Sequence, residues 1–569
     1  MLRSNLRNNV LLIAYFVVVT IFVFSTTGQI YGVNDDVIIQ EWLSGAYTGK
    51  PEFMIRGSAT PKLIFGLFVS SLYDWIPQVN WFSIILLILT VLSWYLLGLL
   101  TLKSKSVFAL ISFALISFLH LMWFIPSPTY TAAAVILSFS TLIYFSDSLL
   151  NQRFSLTVVF IVLLYIFAYF IRPESFYLGT AVSIPFIIYG IKMTTAKINI
   201  TYKKLSILII LTGAFILLDS GLEKIVYQKN TNWTSYREWE SARYEIQGNA
   251  AENLVSENPS KFNWSSPEVE LFKSYNFLDK DSFNTDKLQK LTRDLDNTKI
   301  NIDASFLLEA HQKIFDSRSN WEWPNLISLI PLFYLLFLVL SIPQIKNYFI
   351  LTFFCLGILY IIMLYVAGFL RQPDRVQVSV IFLSILLTFV AFIFDPKEKD
   401  LAKSKLKDLH LLSLLILVLI VVNSASQARN FMTKIQKSTV FFWNEQIRYL
   451  SSFPDDSIFV GNASQFRNNW RTPYLSNREE VENRILSFGW HSFSPHWVKR
   501  VENLGLNPDK LIDSIIEDPR VYWVSDTMTM DYIGQFMREK NYRFSNPVKV
   551  GVMSHLGDEY VVWKFNKND

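Results

Sequence analysis

Nothing constrains the fold of this chain more than its repeated long stretches without a charged residue. Val10–Phe24 and Leu411–Val422 are two of them. A helix that crosses the hydrocarbon layer needs about 20 mostly apolar residues, because lipid offers its backbone no hydrogen-bond partner. Segments 10–28, 80–102, 106–125, 128–150, 155–171, 174–192, 204–221, 324–343, 347–370, 376–395 and 409–426 meet that requirement, about eleven spans in all. Charged residues make up 17% of the chain, against about 25% in soluble proteins. The average hides two regimes, since 226–322 and 427–569 have ordinary soluble composition.

The expected fold class is therefore an α-helical polytopic membrane protein with a small C-terminal extracytoplasmic α/β domain. Four parts follow: an N-terminal membrane region over 1–221 that includes a first outer loop at 29–79, a large outer loop over 222–323, further membrane helices over 324–426, and the terminal domain over 427–569. Arg3 and Arg7 precede the first apolar run, and no small-residue cleavage pattern follows within Ser25–Gly32, so that run reads as a retained anchor.

Charge sets the expected orientation. With the N-terminus in the cytoplasm, Lys103/Lys105, Arg153, Lys192/Lys197/Lys203/Lys204, Lys346 and the Lys397–Lys407 cluster all fall inside, as the positive-inside rule requires. The net charge of +5 is thus a topology signal and not a nucleic-acid footprint. Pro61–Ile76 is apolar but short, and counting it as a span would invert every later loop; it reads as an interfacial or re-entrant helix. Cys355 is the only cysteine and lies in an apolar run, which removes disulfide and thiolate chemistry from the chain.

The soluble parts carry two notable patterns. Trp233, Tyr236, Trp239 and Tyr244 follow near-helical spacing and read as a packing stripe, whereas 250–300 is polar and reads as partly mobile. Beyond residue 427, helices near Phe431–Leu450, Pro508–Glu517 and Tyr532–Lys540 alternate with strand-like Ser457–Val460, Val521–Val524 and Tyr560–Phe565. Between them, Gly489-Trp490-His491 and Pro495-His496-Trp497 place two histidines among tryptophans. A spacing of five does not put His491 and His496 on one helical face for a metal. They read as structural aromatic-loop residues or as acceptor contacts.

Candidate chemistry collects on the outer side. Asp35 and Asp36 directly follow the first span, at the membrane interface. Arg172, Arg371 and Arg375 lie at outer helix ends, against the positive-inside trend, with Glu174 and Asp374 beside them. Guanidinium groups match phosphate oxygens two at a time, and ionisable groups at membrane depth commonly mark a site; snorkelling and local ion pairs are the competing explanation. Ser127–Thr131, which includes Tyr130, together with Arg56 and Lys62, faces the same side. Such a set can line one cavity for an anionic lipid-phosphate donor and a sugar acceptor.

This layout resembles the multi-spanning glycosyltransferases of the GT-C class, in which an acidic motif follows the first helix; here the matching residues are Asp35 and Asp36. The run Asn34-Asp35-Asp36 through Ser44–Pro51, with Val79-Asn80-Trp81, also looks like a group of uncharacterised bacterial membrane proteins placed near envelope-polysaccharide functions. The GT-C resemblance implies a polyprenyl-phosphate-linked sugar as donor, an envelope glycan or lipid as acceptor, inversion at the anomeric carbon, and Asp35 or Asp36 as general base. Arg56, Tyr130, Arg172, Glu174, Arg371 and Arg375 would then bind the substrate and its phosphate. Some members of the class use a divalent metal, and hard carboxylate ligands such as Asp35 and Asp36 suit Mg or Mn. The implied setting is a bacterial plasma membrane. A transporter or flippase of lipid-linked glycan, and a polysaccharide polymerase or ligase, are the alternatives. A transporter would place ionisable groups near mid-span and show repeats, neither of which is evident.

Overall fold

The computed structural model describes residues 2–31, 34–55, 60–104, 107–150, 156–193, 198–247, 250–296, 308, 312, 346–369, 374–393, 426, 430, 441–466, 473–474, 480–555 and 558–565. The membrane part opens with α1 (Leu2–Thr26), α2 (Asn34–Ser44), α3 (Leu63–Trp75), α4 (Trp81–Ser104) and α5 (Val107–Phe124). It continues through α6 (Tyr130–Leu150), α7 (Leu156–Ile171), α8 (Pro173–Met193) and α9 (Ile198–Gln228). Among the described residues five helices are long and apolar enough to cross a membrane, lying within α1, α4, α6, α8 and α9, and α3, α5 and α7 are shorter apolar helices. The expected span 324–343 and all of 409–426 but its last residue lie outside the described residues.

Lipid exposure is visible in the side chains. Val10, Leu11, Val18 and Ile21 of α1 and Ile209, Ile210 and Leu217 of α9 point outward, which is tolerable for helices of this hydropathy only in hydrocarbon. Inside, small residues allow α6 and α8 to approach closely: a Cβ on Gly179 would stand 2.1 Å from Ser138 Oγ. Lys103 pairs with Asp147 at 2.5 Å, joining the ends of α4 and α6 that the charge pattern assigns to the inner face.

The chain from 231 to 296 forms α10 (Thr231–Ile246), α11 (Ala250–Glu257), α12 (Ser266–Lys273) and α13 (Thr285–Asp296). Local signals start them well. Asn230 accepts the Trp233 N–H at the head of α10, and Ser265 and Glu268 form a reciprocal capping box on α12. Although 250–296 is polar in composition, it buries Trp264, Phe272, Phe277 and Phe283, so this stretch packs instead of trailing in solvent. Widely spaced aromatics supply the apolar area that the average conceals. Helices α14 (Lys346–Phe369) and α15 (Asp374–Ile393) return to the membrane part.

The C-terminal unit contains α16 (Phe441–Leu450), β1 (Ile458–Asn462), β2 (Ile485–Phe488), α17 (Pro495–Asn503), α18 (Leu511–Glu517), β3 (Val521–Ser525), α19 (Thr527–Glu539), β4 (Val548–His555) and β5 (Asp558–Lys564). Its five-stranded sheet has the order β2-β1-β3-β5-β4, parallel across the first three strands and antiparallel at β3-β5-β4. Every residue of β1 and β2 is buried, as expected for parallel strands covered on both faces. Gly461 is required in β1 because a Cβ there would lie 2.4 Å from the Val524 carbonyl.

One hydrophobic core is continuous from α6 and α7 through α2 and α10–α13 to the sheet. As a result the middle of α2 is buried. Gln40 and Glu41 are buried along with Val37, Ile38, Ile39, Trp42 and Leu43, because the C-terminal unit covers the face that would otherwise meet water.

Candidate functional site at the head of α2

Asp36 lies in the first turn of α2 and is fully buried. Its Oδ1 accepts the backbone N–H of Tyr130 at 3.2 Å, at the very start of α6. A helix N-terminus leaves N–H groups without intrahelical partners and carries positive potential, so a carboxylate is favoured there. The ring of Tyr130 lies 4.9 Å beneath the Arg172 guanidinium. Arg172 Nη1 donates to Thr131 Oγ1 at 2.5 Å, and Arg172 Nε approaches Glu174 Oε2 at 3.7 Å. Four of the residues singled out from sequence, Asp36, Tyr130, Arg172 and Glu174, therefore form one contiguous chain of contacts at the end of the helices opposite Lys103. Asp35 precedes Asp36 on α2 and is only half-buried.

Beside them, the Lys62 backbone N–H donates to the Phe170 carbonyl, and its Nζ sits 3.4 Å from Glu223 Oε2 and 3.7 Å from Asp219 Oδ2. Asp219 and Glu223 are one helical turn apart on α9. Sequence reasoning did not single them out: Asp219 falls inside the expected span 204–221, and Glu223 lies just past it, where α9 continues to Gln228.

The Gly489–Pro495 loop leaves the carboxyl end of β2 and brings His491 against α2. His491 is fully buried, with Nε2 3.3 Å from Ser487 Oγ. Burial pushes its pKa down to about 4, and the Glu41 and Asp35 carboxylates partly oppose that shift. The acidic motif and the histidine loop, far apart in sequence, thus share one neighbourhood. His496 is used differently. Its Nε2 contacts the Met54 carbonyl at 2.7 Å, its ring lies 4.9 Å from Trp42 and 5.0 Å from Trp233, and burial likewise holds its pKa near 4. That histidine clamps the segment between α2 and α3 to α17.

Sequence reasoning did not single out Trp42 and Tyr47 for the site. Trp42 packs edge-on against Trp233, Trp490, His491 and His496, and Tyr47 lies 6.0 Å from His491. The available signal was a concentration of indoles outside the spans, at Trp42, Trp233, Trp490 and Trp497. Arg56 and Arg371 lie outside the described residues, and so does the side chain of Arg375, whose backbone is in the first turn of α15.

For a divalent ion the donor set is poor. Among the described residues no three His, Cys, Asp or Glu side chains converge. Asp35 and Asp36 occupy successive helical positions about 100° apart, and Asp36 Oδ1 is already engaged by Tyr130. The expected Mg or Mn site on these two aspartates does not fit this arrangement, and no chemical step is assigned to a metal.

No known family description matches the chain, and no curated protein does. Among solved structures, ArnT from Cupriavidus metallidurans bound to undecaprenyl phosphate is similar over 97% of both chains, at 10% identity and a TM-score of 0.40. The apo form of the same protein gives 97%, 10% and 0.39. The side-chain arrangement at the head of α2, and not this likeness, carries the functional reading.

Proposed function

We propose that this protein is a membrane glycosyltransferase of the GT-C kind. It takes a sugar from a polyprenyl-phosphate carrier and passes it to a hydroxyl of an envelope glycan or lipid on the extracytoplasmic face of a bacterial plasma membrane. The observation that carries the reading is the contact chain Asp36–Tyr130–Arg172, with the half-buried Asp35 next to Asp36. Carboxylate and guanidinium stand together at the outer ends of the helices, where a lipid phosphate would lie.

The chemistry follows from the placement. The acceptor hydroxyl oxygen bonds to the anomeric carbon while the bond from that carbon to the phosphate oxygen breaks, inverting the centre. Asp35, the more accessible carboxylate, receives the hydroxyl proton. The electron pair leaves with the polyprenyl phosphate, whose charge Arg172 stabilises from Tyr130 and Thr131. Asp36, through its Oδ1, holds α2 to the start of α6, which fixes the position of its neighbour.

Transfer in proteoliposomes tests this reading, with polyprenyl-phosphate sugars and envelope glycans supplied together. Asp35→Asn should lower the transfer rate roughly 100- to 10,000-fold, the usual scale for a positioned general base, with expression and melting temperature retained. Wild-type protein that moves lipid-linked glycan across the bilayer without transferring sugar would replace the enzyme reading with a flippase.

A further inference from the structure

Three buried polar atoms near the site have no hydrogen-bond partner among the described residues: Trp42 Nε1, Trp490 Nε1 and His491 Nδ1. They belong to three rings that touch one another. The centroids of Trp42 and Trp490 are 5.4 Å apart, those of Trp490 and His491 5.8 Å, and those of Trp42 and His491 6.3 Å. Trp264 and Trp523 also carry a lone indole N–H, but their aromatic neighbours are Phe272 and Phe283 in one case and Phe488 in the other. Among the described residues, indole N–H groups of this kind come together at the α2–β2 junction.

A buried N–H without a partner is costly, and native proteins rarely leave several together unless something else completes them. The elements that hold the rings are themselves firmly built. The Tyr236 hydroxyl donates to the Trp490 carbonyl at 3.1 Å, and Ser492 Oγ accepts the Gly489 N–H at 3.1 Å. Gly489 also keeps one flank of the histidine clear, since a Cβ there would stand 2.9 Å from Nδ1. Trp490 is the member of the trio that remains partly exposed. Aromatic faces beside a few unsatisfied donors and acceptors match a pyranose ring, which offers C–H faces to indoles and hydroxyls to N–H groups.

We infer that Trp42, Trp490 and His491 form a recognition subsite for one sugar ring of the acceptor glycan, contributed jointly by the first outer helix and the C-terminal sheet. This rests on the proposed transferase reading, and it adds a ligand class and a place for it. Trp42 follows Asp35 by seven residues on α2, two turns along the same helical face. The ring bound there therefore sets which acceptor hydroxyl reaches the base.

Binding can be measured apart from transfer. The full chain in nanodiscs is mixed with unlabelled neutral tetrasaccharides, both gluco- and galacto-configured and N-acetylated, and saturation-transfer NMR reports contact. At least one probe should show transfer to wild type, and its signal should fall at least about fivefold in Trp490→Phe, which keeps a ring and removes the N–H. Asp35→Asn should retain the signal, because the base is not part of the subsite. That result would separate the subsite from the transferase reading, since sugar contact can persist where no transfer is found. Equal signals in wild type and Trp490→Phe, or no contact with any probe, would overturn the inference, as would a cryo-EM map with ordered water satisfying all three atoms in the presence of a bound probe elsewhere.

Discussion

Asp36 carries a structural duty that its neighbour does not share. Replacing it with alanine removes a buried acceptor and leaves the Tyr130 N–H without its partner, a loss of about 1–3 kcal/mol. Asp36→Ala should accordingly lower the melting temperature, while Asp36→Asn, whose amide oxygen can still accept, should recover most of it. Equal destabilisation by the two variants would contradict the hydrogen-bond account. The two histidines give a pH signature. Each is held near pKa 4 in the folded protein by burial, against about 6.5 when unfolded. A depressed folded-state value means that the unfolded chain binds the proton first, so the contribution is complete above about pH 6.5 and is lost as the pH falls toward 4. Apparent melting temperature in detergent should decline across that window. His496→Gln, which can still donate to the Met54 carbonyl but does not titrate there, should flatten the decline; an unchanged slope would place the sensitivity elsewhere.

At the scale of single elements, β1 has the least tolerance. Gly461→Ala forces a methyl group to within 2.4 Å of the Val524 carbonyl, so the β1–β3 pairing must open. We expect a variant that inserts into membranes but loses protease resistance over 458–525; a variant as resistant as wild type would sink the argument. The elements that could be read from sequence are those with a single dominant period. Spans such as α4 and α6 follow from length and hydropathy, and β1, β3 and β5 from short apolar runs. β2 escaped notice because Ile485–Phe488 is only four residues long, and β4 because Gly551 interrupts Val548, Val550 and Val552. The site was half legible. Asp35, Asp36, Tyr130 and Arg172 declare themselves by opposing the composition around them, whereas Trp42, Asp219 and Glu223 matter only through partners distant in sequence, which no local pattern encodes.

The whole molecule is held together by contacts between its beginning and its end. The Tyr474 hydroxyl donates to the Ile125 carbonyl at 2.9 Å, and the Pro473 carbonyl accepts from the Tyr31 hydroxyl and from Asn80 Nδ2. Lys540 and Lys287 both reach Glu268, at 3.0 and 2.8 Å, tying α19 to α12 and α13. Asn80→Ala should therefore raise amide exchange severalfold not only around α4 but also in 480–500, on the far side of the junction. Exchange confined to the neighbourhood of residue 80 would mean that the C-terminal unit is seated independently. The contact between His496 and Met54 joins residues 442 positions apart. During synthesis the first outer helix leaves the ribosome long before the sheet that covers it, and its acidic motif waits beside an unfinished wall. Asp36 can meet Tyr130 early, but its helix gains its cover of Trp490, His491 and His496 only after translation has passed the sheet's second strand, so the order of manufacture builds the two walls of the site at different times.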